Sequence, residues 1–203
     1  MRDPENILSL AEVRPDFIGF IFYPGSKRFV DKPDPVIIKE IPSEIQKVGV
    51  FVNEPGDHII DRYENLGLDL VQFHGDESPE KCTSLNEKKI PIIKAISVDH
   101  TTDFSYLFDY ENHVDYFLFD TKTENYGGSG KKFNWDKLNE YRLDIPFFLG
   151  GGIGYEDLDA ILALSHPMLY SIDINSKFET EPGIKNIELV KSFINKIRRQ
   201  NEI

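Results

Sequence analysis

Cysteine is almost missing from this chain, with Cys82 the single one in 203 residues. That excludes an internal disulfide framework and makes a reducing compartment, the cytoplasm, the expected location. Long apolar runs are missing too. No stretch approaches the roughly 20 residues that a membrane helix needs, so a soluble chain with no membrane partner is expected. The first five residues include Arg2, Asp3 and Glu5, too polar a start for a secretory signal. Basic charge is the scarcer sign, 23 Lys and Arg against 35 Asp and Glu, for a formal net charge of −12. Such a field repels nucleic acid and anionic membranes, and an anionic ligand would need a locally positive site. The five histidines, His58, His74, His100, His113 and His166, show no helical metal-ligand spacing, so no metal is expected.

What is present is a regular alternation. Apolar runs at Phe17–Phe22, Val48–Val52, Leu70–Phe73, Ile90–Ile96, Tyr116–Phe119, Pro146–Leu149 and Leu169–Ile174 read as strands. They are mostly continuous rather than alternating, as strands covered on both faces are. Helical patterns fill the gaps. In the last, Val190, Phe193, Ile194 and Ile197 share one face, and in the stretch after Tyr155 Leu158, Ile161 and Leu162 do. Ser78 and Pro79 open a helix that contains Cys82, which reads as a small core residue. Strand and helix in strict order imply a parallel sheet, and the length suits one domain over residues 1–203. The chain opens on a helix, with Asp3 as cap, Pro4 at the first helical position and Ile7, Leu10 and Ala11 on one face. Seven strands and eight helical segments result. Two architectures fit that count, a (β/α)8 TIM barrel whose strand 1 is missing and a seven-stranded open sheet.

On either architecture, ligand sites gather at the carboxyl ends of the strands. Those ends carry Asn53, His74, Asp120, Gly150 and Asp173. Any one of them could simply start a loop or cap a helix. Asp120 stands out because it closes the run Asp115-Tyr-Phe-Leu-Phe, the apolar setting that a general acid needs. Its loop continues to Tyr126-Gly127-Gly128-Ser129-Gly130, where glycines allow close backbone approach and hinge motion. Gly150-Gly151-Gly152 precedes a helix and can offer N–H groups and the helix N-terminus to a phosphate, with Asn175-Ser176 as the neighbouring loop. Neither glycine run is a Walker loop or a dinucleotide fingerprint, since Asn125 and Tyr155 stand where glycine is required. Pro24-Gly25-Ser26-Lys27-Arg28 supplies the local positive charge, and the planar fork of Arg28 can grip a carboxylate in two places. Taken alone, Arg28 reads equally well as a solvated loop residue.

Several motifs in order are more specific than any one alone. They are Phe17-Ile-Gly-Phe-Ile-Phe-Tyr-Pro-Gly-Ser-Lys-Arg28, Val71-Gln-Phe-His-Gly-Asp-Glu77, Phe119-Asp-Thr-Lys122 with Tyr126-Gly-Gly-Ser-Gly130, Gly150-Gly-Gly152, and Ser171-Ile-Asp-Ile-Asn-Ser176 followed by Glu181-Pro-Gly183. With these the chain resembles phosphoribosylanthranilate isomerase, a family of tryptophan biosynthesis, from Arg2 to the last helix. The resemblance implies a (β/α)8 barrel, a small phosphorylated substrate, no cofactor, and a monomer or homodimer. The implied reaction is the Amadori rearrangement of N-(5-phosphoribosyl)anthranilate. Asp120 matches the family's general acid, Arg28 its grip on the anthranilate, and Gly151, Gly152 and Ser176 its phosphate site. Gly128, His74 and Asp173 fall at family substrate-binding positions. The departure is at the front, where the family's first strand ends in Cys-Gly and the cysteine is the general base. That strand would lie just before Met1, and an internal start at Met1 is the preferred explanation. For the polypeptide as given, very low activity is expected. Two other functions remain beside this one. The first is a phosphate-binding scaffold without catalysis. The second is a neighbouring barrel enzyme, indole-glycerol-phosphate synthase or a sugar-phosphate epimerase, whose lysine–glutamate set or metal-binding histidines the sequence does not show.

Overall fold

The computed structural model describes residues 1–122 and 132–200, and it begins with the expected helix. Helix α1 spans Pro4–Glu12, capped by the Asp3 carboxylate, which accepts from the Asn6 N–H at 2.8 Å; Ile7, Leu10 and Ala11 form its buried face. Strands β1 (Phe17–Ile21), β2 (Gln46–Phe51), β3 (Leu70–Phe73), β4 (Ile92–Val98), β5 (Tyr116–Thr121), β6 (Phe147–Leu149) and β7 (Leu169–Ile172) form one parallel sheet in chain order. Helices α2 (Pro35–Glu40), α3 (Gly56–Leu66), α4 (Pro79–Asn86), α5 (Leu158–Ala163) and α6 (Ile187–Gln200) follow the strands.

The near-continuous apolar strands are explained by two apolar layers. Successive side chains point to opposite faces of a strand. On β5, Phe117 and Phe119 join the outer core beneath the helices, which also holds Val190 and Phe193 of α6. Leu118 points the other way, into a second cluster with Val48, Val50, Leu70, Ile93, Ala95 and Phe148.

Three local expectations change. After β4 and β5 the chain forms 3-10 turns, Phe104–Tyr110 and Trp135–Glu140, instead of α-helices. In the first, buried Phe104 and Leu107 lie three apart, which suits three residues per turn. Ser78 stands at the N-cap of α4, but its side chain makes no capping bond. A short antiparallel hairpin, β8 (Glu179–Glu181) and β9 (Ile184–Lys185), follows β7 and turns through Gly183 at φ 89°. Its strands are too short and polar to give a strand pattern in the sequence.

Among the described residues, β1 and β7 are the two margins of the sheet and do not pair with each other. The sheet is nevertheless curled. The Phe17 ring of β1 meets Phe148 of β6 at 5.0 Å and Tyr170 of β7 at 6.2 Å, and Tyr116 touches both of those rings. A flat open sheet could not make these contacts, so the incomplete barrel is the architecture adopted. Further along β1, the Met1 nitrogen donates to the Gly19 carbonyl at 2.9 Å. The hollow between the margins runs into the barrel interior as one cavity of about 1180 Å³. No helix among the described residues is long and apolar enough to cross a membrane.

Candidate active site

The cavity is lined by Arg28, His74, Asp120, Gly151, Gly152, Asp173 and Ser176, whereas Asn53 and Gly150, the other strand ends read from the sequence, do not line it. Gly128 lies outside the described residues. Each of the seven stands at or just beyond the carboxyl end of a strand, or in the loop that follows it.

The acid half of the site is built on strands. Asp120 is the penultimate residue of β5, with one carboxylate oxygen accepting from the Thr121 N–H at 2.7 Å. Its other oxygen, Oδ2, lies 3.5 Å from His74 Nε2. His74 in turn holds Gln72 through Nδ1, at 2.8 Å from the Gln72 amide nitrogen. An amide nitrogen only donates, so Nδ1 accepts and the ring proton sits on Nε2, facing Asp120. Gln72 was not nominated by the sequence. Its signal was a polar residue on the inward face of Leu70-Val-Gln-Phe73, where the outward neighbours Val71 and Phe73 are fully buried.

Gly151 closes this half. It sits at φ 88°, and a Cβ there would strike Thr121 and come within 3.0 Å of the Asp120 carboxylate. Only glycine fits such a position without strain. The N–H groups of Gly151 and Gly152 have no protein partner among the described residues and border the cavity. The expected role of the following helix N-terminus changes, however. The segment starts with a 3-10 turn, Tyr155–Asp157, and the Asp157 carboxylate already takes the Gly154 N–H at 2.8 Å. The glycine backbone and Ser176 still border the cavity.

Asp173 opens onto the cavity, yet protein walls surround it. Those walls first, and then the charge of Asp120, raise its carboxyl above the ordinary aspartate range, with Lys185 and His74 opposing. Cys82 is remote from this chemistry. It is fully buried in α4, and burial pushes its thiol up to about 11, so it is a core residue as expected. Among the described residues, no group of three or more His, Cys, Asp or Glu is arranged to hold a metal.

The anion half is built on ion pairs. Arg28 is neither free nor solvated: Nε donates to both oxygens of Glu179 at 2.9 Å and Nη2 to Oε2 at 2.7 Å. The two side chains are only 14% and 4% exposed. Lys185 Nζ adds bonds to Asn175 Oδ1 at 2.8 Å and to Glu179 Oε1 at 3.4 Å. Burial pulls the Lys185 ammonium below the ordinary lysine value, while Glu179 and Asp173 push it back up. Neither Glu179 nor Lys185 was nominated, because each lies in a polar hairpin with no strand signal before it.

The sequence pattern of the family described as N-(5'phosphoribosyl)anthranilate (PRA) isomerase matches residues 1–196. The chain belongs to this isomerase family. An N-(5'-phosphoribosyl)anthranilate isomerase of Parabacteroides distasonis is 45% identical over 200 residues, spanning 97% of this chain and 90% of the relative. The phosphoribosyl anthranilate isomerase of Thermotoga maritima superposes with a TM-score of 0.82 at 33% identity, covering 98% of this chain and 96% of that one. A further isomerase structure, in complex with reduced 1-(o-carboxyphenylamino)-1-deoxyribulose 5-phosphate, gives a TM-score of 0.80 at 29% identity, covering 98% and 95%. The curled parallel sheet is thus the barrel of the isomerase family, and the resemblance read from the motifs holds over nearly the whole chain.

Proposed function

We propose that this chain, as an isomerase of tryptophan biosynthesis, binds N-(5'-phosphoribosyl)anthranilate at the carboxyl ends of its strands and opens the ribose with Asp120 as general acid. The observation that carries this reading is the convergence of Asp120, the Gly151 and Gly152 backbone and the Arg28 cluster on one cavity. Asp120 gives its proton to the ribose ring oxygen, the bond from that oxygen to C1 breaks, and the anthranilate nitrogen shares its electron pair to form an iminium. Loss of the C2 proton then gives the enolamine, which tautomerises to the ketose. His74 holds Asp120 in place, Gly151, Gly152 and Ser176 receive the phosphate, and Arg28 receives the anthranilate carboxylate. Gly128 and Asp173 complete the substrate contacts. The C2 proton needs a base, and among the described residues no thiol lines the cavity. The chain works as one domain, as monomer or homodimer, in a reducing cytoplasm.

Calorimetric titration with the reduced product analogue tests the reading. Binding that inorganic phosphate weakens supports it, and no binding at all contradicts it. A parallel turnover assay separates a competent isomerase from a binding scaffold.

A further inference from the structure

We propose that Glu179 is a positioning residue, which fixes the edge of the Arg28 guanidinium that is presented to the anthranilate carboxylate. The inference rests on the reading of Arg28 given above. A guanidinium has two edges able to take a carboxylate, one through Nε and one Nη, the other through both Nη groups. Glu179 occupies the first edge, bonded to Nε and Nη2. Nη1 has no partner among the described residues, which leaves the second edge available on a residue that lines the cavity.

Glu179 is itself held from several sides. Its oxygens accept from Arg28, from Lys185 Nζ at 3.4 Å and from the Gly183 N–H at 3.2 Å. Burial alone would raise its carboxyl, but the Arg28 bonds, the Lys185 charge and the Gly183 N–H outweigh it and keep the group ionised. The cluster also stays positive, because Arg28 and Lys185 bring two charges and Glu179 removes one. Glu179 therefore costs the site part of its attraction for an anion and gives direction in return. An untethered arginine has many rotamers to lose on binding, and a fork held side-on has few. The partners lie 151 residues apart, Arg28 after β1 and Glu179 on β8, so the pair also spans the unpaired margins of the sheet.

The test is a paired titration, using the reduced product analogue and its counterpart lacking the ring carboxylate. Arg28→Ala should weaken the first ligand by about tenfold or more, some 1.4 kcal/mol, and leave the second within about twofold. Glu179→Gln should show the same selective loss, and Glu179→Asp, which keeps the charge but shortens the reach, an intermediate one. Should Glu179→Gln not fold, the Asp variant alone carries the comparison. Equal weakening of both ligands would show that Glu179 is merely structural and overturn the proposal. Tighter binding of the carboxylated ligand would overturn it differently, by showing that Glu179 competes for Arg28. If Arg28→Ala fails to discriminate between the ligands, the reading of Arg28 falls first and this inference with it.

Discussion

The two halves of the site are held by different physics. On one side Asp120, His74 and Gly151 hang from β5, β3 and the end of β6, inside a continuous parallel ladder. On the other, Arg28 and Lys185 meet at Glu179 across margins that do not pair with each other among the described residues. The ladder places Asp120, the proposed acid, through backbone bonds and two apolar layers. The margins place Arg28, the proposed anion grip, through side-chain charge, with the Phe17, Phe148 and Tyr170 rings holding them together at the amino end. The anion half should therefore loosen in acid, as Glu179 takes up a proton, while the backbone ladder under Asp120 stays paired.

The largest expected effect tests the acid half. Asp120→Asn should cut turnover by about 10²- to 10⁴-fold while the reduced product analogue binds within a few-fold of the parent. A loss of binding as large as the loss of turnover would remove the distinction between the halves.

Next comes the anion half. Glu179→Gln should cost about 3 kcal/mol in urea denaturation at pH 7, since it leaves Arg28 without its buried partner. The pH dependence has a definite sign. The folded carboxyl of Glu179 lies below its ordinary value of 4.5, so its stabilisation is present above 4.5 and is lost as pH falls through the lowered folded value. The parent and Glu179→Gln stabilities should therefore converge in acid; parallel curves would show that the pair contributes nothing.

Gly151→Ala ranks third, at about 1–3 kcal/mol for forcing an alanine into a left-handed backbone, with a weakened acid half because the methyl crowds Asp120. Differential scanning calorimetry and an activity assay read the two effects separately. The smallest is a gain. The folded carboxyl of Asp173 is raised, so its contribution is favourable below its ordinary value of 3.8 and lost as pH rises through the folded value. Asp173→Asn should thus melt slightly higher than the parent at neutral pH and show no advantage in acid.

Legibility followed the same division. The acid half could be read in the sequence because it depends on local order: an apolar run sets a strand, and the residue closing it faces the site. That order puts Asp120, His74, Gly151 and Gly152 on the cavity, and periodicity gives α1 and α6. Gln72 was missed because one inward polar residue in four gives too short a period to notice. Glu179 and Lys185 were missed for a stronger reason. Their meaning comes from a contact with Arg28 that spans most of the chain, and no spacing within the polar hairpin carries it. The 3-10 turns after β4 and β5 were missed because spacing by three reads as helix without saying which kind.

A crystal structure of the chain with the reduced product analogue bound would address both halves at once. The expected result places the phosphate on the N–H groups of Gly151 and Gly152 near Ser176, the former ring-oxygen end of the ribose chain at Asp120, and the ring carboxylate end-on to Arg28 with the Arg28–Glu179 pair intact. A ligand whose carboxylate displaces Glu179, or whose phosphate sits away from the glycines, would contradict it.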